Sequence, residues 1–201
     1  LHITIEKGHT IKKRYCFPDS YSRSTTSASG SVTAEILYAA HGVTAPELGY
    51  DDYENIDVAG KIVLIDTDVP VKRNHENYSA WVPYCYHQHK LNNAAKHGAA
   101  GLLYINKLAN PNTSFNSGLI YCHVGSEVVS DIFYSSGITH ADLKKRIAQT
   151  GRPASRATGK KATITAHTVH HRHGRGCNVI GIIEGSDPEL KDEVIIIGAH
   201  F

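Results

Sequence analysis

Apolar and polar positions alternate from Val32 to Tyr38. Val32, Ala34, Ile36 and Tyr38 share one side, against Thr33, Glu35 and Leu37 on the other. A period of two predicts a strand with one buried face. Two later segments are continuously apolar: Lys61-Ile-Val-Leu-Ile-Asp66, bounded by Gly60 and Pro70, and Ala100-Gly-Leu-Leu-Tyr-Ile105. Such runs predict strands covered on both faces. Between them, Pro83 suits a first helical turn and Gly98 the left-handed position past a last one. Tyr84, Leu91, Ala94 and Ala95 fall near one helical face, with Trp81 leading in. His87, His89, Lys90, Asn93 and Lys96 fall mostly off that stripe, and Gln88 interrupts it. A strand–helix–strand unit of this kind predicts two parallel, neighbouring strands.

Other segments follow the same logic. Residues 1–6 pattern as a strand, and residues 20–31 are rich in Ser and Thr, as in an extended linker. Pro46, Gly49 and the acidic cluster Asp51, Asp52, Glu54 and Asp57 predict a long surface loop. Residues 120–124 fit a short strand, and residues 127–134 and 140–150 fit helices separated at Gly137. Residues 163–170 alternate as an edge strand or hairpin arm would. Residues 178–183 and 193–198 pattern as strands joined by the turn-rich Gly185-Ser-Asp-Pro-Glu-Leu-Lys191. A run as apolar as Val194-Ile-Ile-Ile197 belongs in a sheet covered on both faces and needs neighbours. The pattern therefore predicts a lead-in and linker over residues 1–29, an α/β domain over 30–172, and the opening of a second domain over 173–201.

Composition narrows the possibilities. The 201 residues are 41% apolar and 20% charged, enough for a packed core. A net charge of +2, from 21 basic and 19 acidic residues, argues against a nucleic-acid binder. The one dense basic stretch, Lys160, Lys161 and then His170 to Arg175, is short and interrupted. No apolar run approaches the roughly 20 residues of a membrane span, and residues 1–15 lack the pattern of a signal peptide. The sequence contains no Met, even at residue 1, as a processed end would give. Cys16, Cys85, Cys122 and Cys177 match no zinc ribbon and form no C-x-x-C. They are expected to be free buried thiols; in an exported protein, Cys85 and Cys122 would be the pair to bridge.

Candidate chemistry is sparse. His171 and His173 have the spacing that places two side chains on one face of a strand, but no third ligand lies nearby, and a solvated connector is expected. His87 and His89 are two apart on a predicted helix and diverge. Asp51-Asp-Tyr-Glu54 lacks the spacing of an EF-hand and fits a turn with Asx-type hydrogen bonds. No G-x-S-x-G elbow is present.

Several stretches resemble a known family. Gly42-Val-Thr-Ala-Pro-Glu-Leu-Gly-Tyr-Asp-Asp-Tyr53, Ile56-Asp-Val-Ala-Gly-Lys-Ile-Val63 and Lys96-His-Gly-Ala-Ala-Gly-Leu-Leu-Tyr104 are similar to protease-associated (PA) domains inserted in M28-type zinc metallopeptidases. Asn178-Val-Ile-Gly-Ile-Ile-Glu-Gly-Ser-Asp-Pro-Glu-Leu190 and Val194-Ile-Ile-Ile-Gly-Ala-His200 resemble the first catalytic strands of those enzymes. The resemblance covers residues 30–201. It implies an α/β fold: a PA-domain β-sandwich or open-barrel core with flanking helices, plus the first strand hairpin of an M28-type α/β catalytic domain. It also implies a pair of zinc ions activating a bridging water, with His200 as the first zinc ligand. The family pattern runs on from Gly-Ala-His through one residue to a catalytic Asp, and the sequence given reaches Phe201. The other ligands and the general base are thus expected beyond residue 201, with no peptidase activity in this stretch by itself. The implied role is accessory: the PA portion of a secreted or periplasmic zinc aminopeptidase, shaping substrate access or mediating protein interaction. Its partners would be a peptide or protein substrate and its own catalytic domain. The alternative is a stand-alone PA-type module that binds peptides or proteins without catalysis.

Overall fold

The computed structural model describes residues 2–7, 11–22, 26–106, 116–171, 173–175, 177–190 and 192–199, with the backbone alone at 2–7, 11, 12 and 22. The strands are β1 (His2–Lys7), β2 (Ile11–Tyr15), β3 (Tyr21–Ser22), β4 (Gly30–Tyr38), β5 (Thr44–Ala45), β6 (Tyr50–Asp51), β7 (Ile62–Asp66), β8 (Gly101–Ile105), β9 (Ile120–Val124) and β10 (Arg156–Ala166). The helices are α1 (Tyr78–Cys85), α2 (His87–Lys96), α3 (Ser126–Phe133) and α4 (His140–Thr150). One compact unit spans Leu1–His170 and another His171–Phe201.

Eight strands form one mixed sheet in the order β2-β1-β10-β4-β7-β8-β9-β3. Strands β4, β7, β8 and β9 run parallel, with Ile62 beside Gly101 and Asp66 beside Ile105. The predicted parallel pair is therefore central, and all five residues of β7 are buried. The sheet curls so that the chain before β4 meets the start of β9: Ala28 N donates to Leu119 O at 3.1 Å, and Tyr121 N to Ser27 Oγ at 3.0 Å. The resulting α/β fold is a single curled sheet with helices on both faces.

Period-two alternation sorts the strand side chains between those faces. Ile36, Ile62, Leu64, Leu103, Cys122 and Val124 pack under α3 and α4. Leu37, Val63, Ile65, Leu102, Tyr104 and Tyr121 pack with Leu91 and Ala94 of α2. Burying one such aliphatic chain, Leu64 or Leu102, stabilises the fold by roughly 2 kcal/mol.

The structure departs from the sequence expectations at five places. The single helix expected up to Gly98 is two, divided at Tyr86, which is extended (φ −69°, ψ 132°), and Pro83 lies inside α1. Burial explains the break. Trp81 of α1 joins a cluster with Val43, Ala45, Tyr50 and Val69, while α2 buries Leu91 and Ala94 elsewhere, and one straight rod would not serve both. Strand β10 is not at an edge: it begins at Arg156, pairs with both β1 and β4, and shifts register between Ala157 and Lys161. Gly159 (φ 70°) lies in that irregularity, as a bulge allows. The lead-in is part of the fold. Strand β1 pairs with β10, Tyr15 and Tyr21 join the core, and Lys13 Nζ reaches Glu127 and Asp131 of α3 at 2.7 and 2.6 Å.

The cysteines are free thiols, but only Cys122, under α3 and α4, is buried as expected; Cys16 and Cys177 are exposed, and the half-buried Cys85 donates to Trp81 O within α1 at 3.6 Å. Cys85 and Cys122 pack in different clusters, and the bridge considered from sequence is not formed. Finally, the described residues of 171–201 contain turns but no strand. Asp187 Oδ1 accepts from Glu189 N and Leu190 N, at 2.8 and 3.1 Å, within the expected turn. The apolar segments flanking it are almost fully exposed, Ile183 at 98% and Ile197 at 92%. A strand needs a paired neighbour for its backbone groups, and the described residues of this unit supply none.

Candidate functional site

Strand β7 ends in Asp66, which is 3% exposed. Its carboxylate accepts from Tyr38 Oη at 2.6 Å and from His140 Nε2 at 3.0 and 3.1 Å. Lys144 Nζ is 3.8 Å away. Burial pushes the carboxyl up, but His140, Tyr38 and Lys144 outweigh it and hold Asp66 below the usual carboxylate range. The Tyr38 phenol is raised by burial and then by Asp66, so it stays a hydrogen-bond donor. His140 is the first residue of α4, whose start is fixed by a capping box between Thr139 and Asp142. Its ring lies against Phe133 (5.9 Å, 22°) and meets Tyr38 edge-on (5.6 Å). A carboxylate holding Nε2–H in this way orients an imidazole for hydrogen bonding or proton transfer through Nδ1.

Beside this pair is a cavity of about 850 Å³, walled by Ile105, Val124, Val129, Phe133 and Ile138, with His140 on its lining. The nearby carboxylates are engaged, Asp66 as above and Asp142 by Thr139 at 3.1 Å (N) and 2.6 Å (Oγ1). A cavity of apolar walls and satisfied acids suits an uncharged group.

On the opposite face a buried polar layer fixes the ends of β4 and β7. Lys90 of α2 has no exposed surface, and its Nζ donates to the carbonyls of His41, Asp66 and Asp68 at 2.6, 3.2 and 2.5 Å. Burial lowers its ammonium to about 8, against the pull of Asp52 and Asp66. Asn93 Nδ2 donates to Gly42 O at 2.9 Å. Asp52 accepts from His41 N, Val43 N and Tyr50 Oη at 3.1, 3.0 and 2.7 Å, and burial raises it to about 7. His41 is lowered to about 4, by burial first and then by Lys90.

The residues singled out from sequence are scattered. His200 lies outside the described residues. His171 and His173 are exposed, and no three His, Cys, Asp or Glu side chains among the described residues converge as a metal set. His87 and His89 diverge: His87 packs on Tyr104, and His89 meets Tyr84 edge-on. In the acidic loop, Tyr53 N donates to Asp51 Oδ1 at 2.8 Å, an Asx-type turn as expected, while Asp52 turns inward. Sequence reasoning missed Asp66, His140 and Lys90 as partners. No local signal marks Lys90, a charged residue mostly off the apolar helical stripe.

The PA domain family model matches residues 32–139, which include most of β4, all of β7 to β9, the Asp66–His140 region up to Thr139, and all of the Lys90 layer. The chain belongs to the PA domain family. An aminopeptidase from Aneurinibacillus sp. strain AM-1 is similar in structure, with 20% identity and a TM-score of 0.42. That match covers 82% of this chain and 29% of the aminopeptidase, so the chain spans less than a third of that protein's length. No curated protein matches the chain. Within the PA domain, the Lys90 layer braces the strand ends on one face, and the Asp66–His140 pair and the cavity occupy the other. No helix among the described residues is long and apolar enough to cross a membrane.

Proposed function

We propose that this PA domain is the accessory module of a secreted or periplasmic zinc-dependent exopeptidase of the M28 aminopeptidase type, and that it shapes access of peptides to a catalytic domain. One observation carries this reading. Residues 178–183 and 194–197 are apolar runs left almost fully exposed, next to the Gly198-Ala-His200 motif. Runs of that kind are stable when paired and covered, as the opening strands of a catalytic α/β sheet would be. In this reading His200 is the first zinc ligand. The remaining ligands would belong to the catalytic domain, and no catalytic step is assigned to the PA domain.

Metal analysis and an aminoacyl-nitroanilide assay on the longer natural protein test this reading. His200→Ala is expected to abolish most activity and lower zinc content while leaving the PA domain folded. Unchanged zinc and activity would remove the ligand assignment. The cavity beside His140 favours a second reading, a peptide-binding PA module without catalysis, and a natural protein with no zinc-dependent activity would select it.

A further inference from the structure

Helix α2 starts at His87, whose ring lies among aromatic neighbours: Tyr104 at 4.5 Å, His123 at 5.3 Å with planes 9° apart, and Tyr121 at 5.6 Å. Neither ring nitrogen of His87 has a hydrogen-bond partner, nor has Nδ1 of His123. His123, on β9, is 5% exposed. No carboxylate among the described residues pairs with either ring.

The surroundings oppose a proton on either imidazole. His87 is the first residue of α2, at the positive end of the helix dipole. Lys90 follows three residues later, buried and cationic. The second imidazole would repel a charge on the first. Tyr104, from β8, has a phenol raised by burial, and Tyr121, from β9, presents its ring. Cys85 of α1, Asp66 and Asp68 act on Tyr104. At neutral pH, two neutral rings are therefore the stable arrangement.

We propose that the stacked His87–His123 pair is an acid-sensitive latch, which holds the first turn of α2 against β8 and β9 while both rings are neutral and releases it when they take up protons. Unpaired buried nitrogens are the points of attack, because protonation creates buried cations with no anion to meet them. The released turn carries Lys90, which binds the carbonyls of His41, Asp66 and Asp68. Acid thus reaches the strand ends that position the Asp66–His140 pair. Burial, then His123 and Lys90, lower His87 to about 4, and burial lowers His123, which places the release below the ordinary histidine range.

Imidazole titration and amide exchange by NMR on the domain test this, going from about pH 7 to about pH 4.5. Exchange at residues 87–91, corrected for intrinsic rates, is expected to accelerate about tenfold while β7 stays protected. His87→Phe and His123→Phe, each checked for folding by circular dichroism, should abolish the acceleration; His41→Asn should keep it. If either Phe variant fails to fold, the other variant and the wild-type titration decide. Wild-type rings that titrate at the ordinary value without faster exchange would overturn the latch. So would acceleration that persists in a folded Phe variant, or that disappears only in His41→Asn.

Discussion

Asp66 and His140 lie 74 positions apart in sequence, yet His140 Nε2 donates to Asp66 Oδ1 at 3.0 Å. The contact joins the last residue of β7 to the first of α4. It fastens a surface helix to the central strand and places an oriented imidazole on the cavity lining.

Replacing that carboxylate tests its worth. We expect Asp66→Asn to destabilise the domain by about 3 kcal/mol in urea unfolding, because Tyr38 and His140 lose a buried anionic acceptor. Loss of less than about 1 kcal/mol would mean that the amide substitutes fully for the carboxylate.

Lys90→Met keeps the length and apolar stem of the side chain but removes the ammonium from three carbonyls. A cost on the order of 3 kcal/mol is expected from the unpaired carbonyls, read as a lower denaturant midpoint with an unchanged slope.

His41 makes the domain acid-sensitive. Its folded-state value, lowered from 6.5 to about 4 by burial and by Lys90, lies below that of the unfolded chain. Its contribution is therefore fully present above pH 6.5 and is lost as the pH falls toward about 4. The whole window corresponds to about 3 kcal/mol. His41→Asn should flatten the stability–pH curve there, and an equally steep curve would assign the sensitivity to other groups.

Thr139→Ala removes one half of the capping box at the start of α4. The expected cost is about 1 kcal/mol, with exchange protection reduced first at the turn that carries His140. Thr139→Ser should retain most of the stability.

Elements whose signal is local are legible in the amino-acid pattern. Period-two alternation and apolar runs defined β4, β7 and β8; residues 140–150 patterned as the helix that α4 is; and a helical stretch between two apolar strands sufficed for the parallel β7–β8 pair. Partners were decided only by the tertiary structure. The chain divides at Tyr86 because Trp81 and Leu91 are buried in different clusters, and β10 is interior because β1 covers its second edge. Lys90 is buried because three carbonyls converge on it from strand ends far away in sequence. Asp66 and His140 likewise look ordinary in sequence, since nothing local to either residue specifies the other. Backbone preferences act over a few residues and are written in the sequence, whereas burial and charge pairing depend on which distant segments the folded sheet brings within a few ångströms.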